Sequence, residues 1–243
     1  MSTLRVNNIT DLGGTVPSYR YVTTLYYTSS DTFVKADYPW LNGIRVKAQA
    51  GGGGAGGAAA TSSTESSQGK PGGGGGYAEK FISDISSLAN SENILVGAGG
   101  SGGSSPNGGG SDGGNSSFGE YCIATGGEGG STSFSTNYAR SYQIPGLGGY
   151  GTAGDLFIRG KSGTQGGTLV AGGSRAMTMS NGGDSHLGAG ALPQDPPLSN
   201  SFINGRNATS WGGGGSPGGS VGSAAGAAGG SGANGIVILE LYA

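Results

Sequence analysis

The sequence predicts a mainly β fold: a β-rich N-terminal part, then a glycine-rich body of short strands and packed polyglycine II helices. Three observations carry this. Glycine supplies 58 of 243 residues, and 55 of those fall between positions 51 and 235. Short apolar islands rich in β-branched and aromatic residues break up the glycine runs, which a flexible linker does not need. Hydrophobic residues make up only 33%, too few for an ordinary side-chain core along the whole chain.

The N-terminal part, 1–50, reads as strands. "LRVNNI" (4–9), "YRYVTTLYYT" (19–28), "TFVKA" (32–36) and "GIRVKAQA" (43–50) have the composition of strands. In the last, Ile44, Val46 and Ala48 share one face, and Arg45, Lys47 and Gln49 the other. Residues 11–14 and Asn42-Gly43 supply turn chemistry. In the body, 51–243, the islands are "ENILVG" (92–97), "FGEYCIAT" (118–125), "DLFIR" (155–159), "TLVAG" (168–172) and "AMTMS" (176–180). Residues 77–90 read as a strand followed by a turn, although Phe81, Ile82, Ile85 and Leu88 would also line a helix face. "GIVILELYA" (235–243) reads as a central strand.

Polyglycine II has three residues per turn, rises about 3.1 Å per residue and makes no internal hydrogen bonds. Its N–H and C=O groups point outward and need partners when buried. Neighbouring helices can supply them if no Cβ stands in the way. Ordering glycine costs about 1–2 kcal/mol per residue, so dense hydrogen bonding and caps of ordinary side chains are required. No fixed repeat marks a solenoid or propeller. Residues 99–117 break the strict every-third-glycine register of collagen.

Net charge is −2 and only 11% of residues are charged, so no nucleic-acid groove is expected. The first residues lack an apolar run with a cleavage site, and no stretch is long and apolar enough to span a membrane. A soluble protein made in a cytoplasm is therefore expected. Cys122, the only cysteine, reads as a small buried apolar residue. "GYGTAG" (149–154) matches a dinucleotide-binding pattern, but a strand-like segment follows it where a helix should. "GDLFIRGKS" (154–162) fails P-loop spacing by one residue. His186, beside Asp184 and Ser185, is the only histidine and reads as a loop residue. No metal, cofactor or catalytic residue is expected.

Several segments occur in a telling order: "TFVKADYPWLNGIRVKAQAGGGGAGG" (32–57), "GGGGGYAEKFI" (72–82), "ILVGAGGSGG" (94–103), "NSSFGEYCIATGGEGG" (115–130), "GYGTAGDLFIRGKSG" (149–163) and "GANGIVILELYA" (232–243). This series resembles the glycine-rich domain of phage tail-fibre and tail-tip proteins. The opening "MSTLRVNNITDLGGT" resembles the N-termini of structural proteins of cyanobacterial phages. The resemblance implies a homotrimeric virion component that touches the host cell surface, glycan or protein. Residues 1–20 are then expected to dock to the tail or to a partner fibre. A purely structural baseplate, tail-tip or capsid-decorating protein is the alternative, and a polysaccharide depolymerase a second.

Two segments are long for loops and poor in glycine: 131–147 and 185–211. Phe134, Tyr138, Arg140 and Tyr142 mark the first; Phe202, Asn204, Arg206 and Trp211 mark the second. Aromatic rings stack on sugar faces while Arg and Asn fix hydroxyls, so these eight are the receptor-binding candidates. The competing reading is that they cap the glycine bundle or fill an interface between copies.

Overall fold

The computed structural model describes residues 9–11, 14–16, 19–132, 134–135, 140–142, 144–171, 174–197 and 199–243. Its strands are β1 (Ile9–Asp11), β2 (Gly14–Val16), β3 (Tyr21–Tyr27), β4 (Asp31–Val34), β5 (Gly43–Gln49), β6 (Ser66–Gln68), β7 (Tyr77–Ile82), β8 (Ser91–Leu95), β9 (Ser116–Phe118) and β10 (Cys122–Ala124). There follow β11 (Phe134–Ser135), β12 (Arg140–Tyr142), β13 (Gly151–Ala153), β14 (Leu156–Ile158), β15 (Gly167–Ala171), β16 (Ser174–Thr178), β17 (Ser201–Ile203), β18 (Gly219–Val221) and β19 (Ile236–Tyr242). The region 77–90 is strand β7 followed by a short 3-10 turn, Ile85–Ser87. The expected segment 4–9 lies almost wholly outside the described residues.

Two antiparallel five-stranded sheets, β14-β7-β5-β19-β3 and β13-β10-β9-β8-β4, face each other. Ile44, Val46 and Ala48 of β5 and Val237, Leu239 and Leu241 of β19 pack against Phe33, Ile94, Phe118 and Cys122 of the other sheet. The alternation read from 43–50 is what buries this face. β19 sits between β5 and β3, central as its composition suggested. Cys122 is fully buried, and burial pushes its thiol up to about 12. Gly119, at φ 48°, turns the chain between β9 and β10.

The sandwich strands run directly into glycine segments. β5 pairs with β7 as far as Gln49↔Tyr77. The same pairing then continues at every third residue: Ala50 N–H to Gly76 O, Gly53 N–H to Gly73 O, Gly56 N–H to Lys70 O. Run 51–58 is the centre of the bundle. Gly51, Gly54 and Gly57 donate to Gly114, Ser111 and Gly108; Gly52, Ala55 and Ala58 donate to Ala233, Gly230 and Ala227. Its carbonyls accept from three further runs: Gly127 and Gly130, Gly100 and Gly103, Gly215 and Gly218. A partner that changes at each residue and returns after three is the signature of a three-fold helix. Run 51–58 thus donates to three antiparallel neighbours and accepts from three parallel ones. Runs 69–76 and 212–218 are surrounded as well, in mixed orientation: 69–76 accepts from the antiparallel run 51–58, and 212–218 donates to that run in parallel. Polyglycine II helices are therefore what the glycines build, and residues 51–58 are all buried.

Close approach explains the composition. A Cβ on Gly52 would stand 2.0 Å from the carbonyl oxygen of Gly213; on Gly53, 2.1 Å from that of Glu128; on Gly54, 2.0 Å from that of Ser101. Lys70 and Pro71 are the non-glycine residues of run 69–76, and Pro71 is the buried one. It has no N–H to give, but its fixed φ suits the helix, and it lies fully buried against Gly163.

The outer runs do carry a period, of three rather than of solenoid length. Non-glycine residues recur at 98, 101 and 104, at 125, 128 and 131, and at 228, 231 and 234, on the face away from the centre. Their short polar side chains hold the next run. Asn234 and Ser231 accept from the N–H of Gly99 and Gly102; Asn115 and Asp112 from Gly126 and Gly129; Asn204 and Asn207 from Ala228 and Ser231. Each pair is spaced i, i+3, one clamp per turn.

At the far end of the bundle lie two small antiparallel sheets, β11-β6-β18-β17 and β12-β15-β16. The change of composition at residue 50 marks a change of backbone conformation within one continuous body. β3, β4 and β5, from the first 50 residues, pair with β19, β8 and β7 from the rest. Among the described residues, no helix is long and apolar enough to cross a membrane.

Gly74→Val and Gly213→Val each place a side chain onto a backbone oxygen, since even a Cβ would stand 2.1 Å from Asp184 O and 2.2 Å from Ala189 O respectively. Both variants should fail to fold solubly. Gly109→Ala, whose Cβ meets nothing closer than 3.9 Å, should fold with stability within about 0.5 kcal/mol of wild type. Soluble yield and thermal melts by circular dichroism check all three.

Candidate recognition surface

The bundle has direction. Tyr19 and Arg20, where the continuously described chain begins, lie on the sandwich: Arg20 exchanges backbone hydrogen bonds with Ala243, and Tyr19 meets Phe81 edge-on at 5.0 Å between ring centres. Run 51–58 leads away from the sandwich, and β6 and β18 close the opposite end. The candidate segments divide along this axis.

β11, which carries Phe134, pairs with β6, and β17, which carries Phe202, pairs with β18 in the same four-stranded sheet. β12, which carries Arg140 and Tyr142, pairs with β15 in the adjacent sheet. The strands bearing four candidates therefore gather at the end remote from the sandwich. The side chains of Phe134, Arg140 and Tyr142, and the whole of Tyr138, lie outside the described residues. Phe202 is 48% exposed.

Asn204, Arg206 and Trp211 follow β17 along run 204–210 back toward the sandwich. Asn204 is a clamp: its Oδ1 takes the Ala228 N–H at 2.9 Å. Arg206 is tied by its backbone, which donates to Ser216 Oγ at 2.9 Å, while its side chain is exposed. Trp211 is 39% exposed but stands at the sandwich end, where its carbonyl accepts from Ser185 Oγ. It does not share a surface with Phe202.

The loop around His186 does structural work. Asp184 accepts from Lys161 Nζ and from the Gly190 N–H, each at 3.0 Å. The Gly190 bond leads burial and the lysine in setting its carboxyl, and the net effect is a lowered pKa. Ser185 donates to the carbonyls of Gly188 and Trp211. His186 rests on the Tyr77 ring, 4.5 Å between centres. The three side chains thus point to three different partners and form no triad. Residues 149–154, the dinucleotide-like pattern, run into the edge strand β13 and not into a helix.

Gln49 lies on the face of Arg45 and Lys47, as its alternation indicates, and is buried there because this loop covers it: its Oε1 accepts from the Leu187 N–H at 3.2 Å. Its Nε2 donates to the carbonyls of Ala50, Gly75 and Gly76, where strand gives way to glycine helix.

The outer face of the first sheet escaped the sequence reading. Arg45 lies 3.7 Å from Glu79 and 4.0 Å from Glu240, and Lys47 pairs with Glu240. Phe81 and Tyr242 pack edge-to-face beside them, 5.7 Å apart. Its signal lay in pairing: Arg45 faces both Phe81 and Glu240 across neighbouring strands, a register no single segment reveals. Burial alone would raise the Glu240 pKa. Hydrogen bonds from Lys47 and Tyr242 outweigh it and hold the carboxyl below its ordinary value.

The model of a glycine-rich domain family matches residues 28–242, and the chain belongs to that family. No characterised protein matches the sequence.

Two outcomes follow from this surface. Gln49→Ala orphans carbonyls at the strand–helix junction and should cost about 1–3 kcal/mol in denaturant unfolding. Because Glu240 has a lowered folded-state pKa, its contribution is complete above about pH 4.5 and is lost as pH falls through the folded value. Acid unfolding of Glu240→Gln should therefore be less steep below pH 4.5 than that of wild type.

Proposed function

We propose that this member of the glycine-rich domain family is a non-catalytic phage virion protein of the tail-fibre kind. It attaches through its sandwich end and meets the host cell surface with its far end. One observation supports this most: the strands bearing Phe134, Arg140, Tyr142 and Phe202 gather at the end opposite to residues 19 and 20. A bundle of hydrogen-bonded helices suits that task, since it spaces two ends rigidly. Run 51–58 alone spans about 22 Å at about 3.1 Å per residue. The sequence resemblance to tail-fibre and tail-tip proteins points the same way. Partners in this reading are other virion proteins at one end and a surface glycan or protein of a cyanobacterial host at the other.

A purely structural baseplate, tail-tip or decorating role is favoured by a different observation. Asn204 and Asn207, polar residues of the second candidate segment, are spent on clamping a neighbouring run. No catalytic role is proposed, for Asp184 and Ser185 are occupied by structural bonds.

Binding of the purified chain to host cells separates the two readings. Phe202→Ala with Arg206→Ala should lower cell binding at least tenfold without shifting the melting temperature by more than about 4 °C. Undiminished binding by this variant, or no binding by the wild type while phage adsorption survives an antibody against the chain, leaves only the structural role.

A further inference from the structure

The two far-end sheets meet through a pair of thioethers. β16 runs on into Met177-Thr178-Met179, and the strand period of two puts both methionines on one side while Thr178 is exposed. Met177 is buried and Met179 half-buried. Both sulfurs converge on Gly219 of β18. A Cβ there would stand 2.9 Å from Met177 Sδ and 3.0 Å from Met179 Sδ. In run 51–58 a carbonyl oxygen excludes the Cβ; at Gly219 the two sulfurs do. The backbone of Gly219 has no positive φ that would demand glycine, so the missing side chain serves to make this space.

Gln68 of β6 stands in register across from Gly219. It is fully buried, and among the described residues its Oε1 is the buried side-chain atom without a hydrogen-bond partner. Its Nε2 makes only long contacts, 3.7 Å to Met179 Sδ and 3.4 Å to Ser180 Oγ. Orphaned atoms of this kind are rare in native interiors and mark strain, chemistry or a bound ion. Rotation of the amide exchanges Oε1 with Nε2, which brings the oxygen beside Met179 Sδ. Hard and borderline cations find no cage, for no three His, Cys, Asp or Glu side chains cluster among the described residues. Thioethers are soft, polarizable ligands, and they select Cu(I).

We propose that Met177, Met179 and Gln68 form a site for a soft monovalent cation, Cu(I). The two thioethers hold it in the space over Gly219, and the Gln68 amide oxygen is a weak third donor. Half-buried Met179 gives it a way in. The donors come from β16 and β6, so the ion ties one far-end sheet to the other. Neither a thioether nor an amide has a proton to lose on binding, so affinity is flat with pH, unlike that of a histidine or cysteine site. The inference does not depend on what the far end binds.

Titration of the full-length chain with Cu(I) against a chromophoric Cu(I) chelator, in reductant and without oxygen, tests it. One equivalent should bind, the melting temperature should rise with Cu(I), and affinity should hold from about pH 8 to about pH 6. Met177→Leu with Met179→Leu conserves volume, so the metal-free variant should fold, and it should lose at least tenfold in affinity. Gly219→Ala keeps every donor but fills the space between the sulfurs, and should lose affinity as well. Circular dichroism checks that both fold. His186→Ala should bind as wild type does. A wild type that takes up no Cu(I) overturns the proposal. So does a double-leucine or Gly219→Ala variant that binds like wild type, or an affinity that falls with pH and is lost in His186→Ala.

Discussion

The structure rests on one interaction: the backbone N–H of one three-fold helix donating to the carbonyl of the next, across a contact with no Cβ. In run 51–58 this happens on all sides. Three neighbours accept, three donate, and the partner returns every third residue. Glycine gives up more conformational entropy on ordering than any other residue and buries little apolar area in return. The lattice offsets that cost by pairing its backbone groups: every N–H of run 51–58 donates to a neighbouring run. Substituents are excluded for a geometric reason, since nearly every interior Cβ would fall about 2 Å from a carbonyl oxygen.

Such a lattice needs a template, and the sandwich provides it. The side-chain core between the two five-stranded sheets fixes the register of β5 against β7, and the glycine helices inherit it at Ala50 and Gly76. Gln49 secures the changeover by holding three carbonyls at the junction. At the surface, where no further run is available, asparagine, aspartate and serine side chains stand in for the missing backbone acceptors. Core, lattice and clamps thus solve the same problem at three depths: a partner for every polar backbone group.

Much of this was legible in the sequence. Alternation in 43–50 gave the buried face of β5, and the apolar run 235–243 gave a central strand. Glycine runs broken by apolar islands gave packed helices. Side-chain identity also separates inner from outer runs. "GGGGAGGA" (51–58) is interior, whereas "GGEGGS" (126–131) and "GGSGGS" (99–104) carry an outward residue every third position. That three-residue period hides in a search for longer repeats. Asn204 shows the limit of reading residue types alone. Beside Phe202 and Arg206 it suggests recognition, yet its i, i+3 partner Asn207 marks it as a clamp. Trp211 was grouped with Phe202 by nearness in sequence, but an extended helix of about 3.1 Å per residue carries it to the opposite end of the bundle. The paired charges of Arg45, Glu79 and Glu240 come from three strands far apart in the chain, so only topology brings them together.

Hydrogen exchange resolved to individual amides tests the central claim most directly. If the glycine helices form a lattice, the amides of 51–58, 69–76 and 212–218 should exchange as slowly as those of β5 and β19, protected by the global stability of the fold. Exchange of these amides at the rate of an unstructured chain, while β5 and β19 stay protected, would contradict the account and return the glycine runs to flexible linkers.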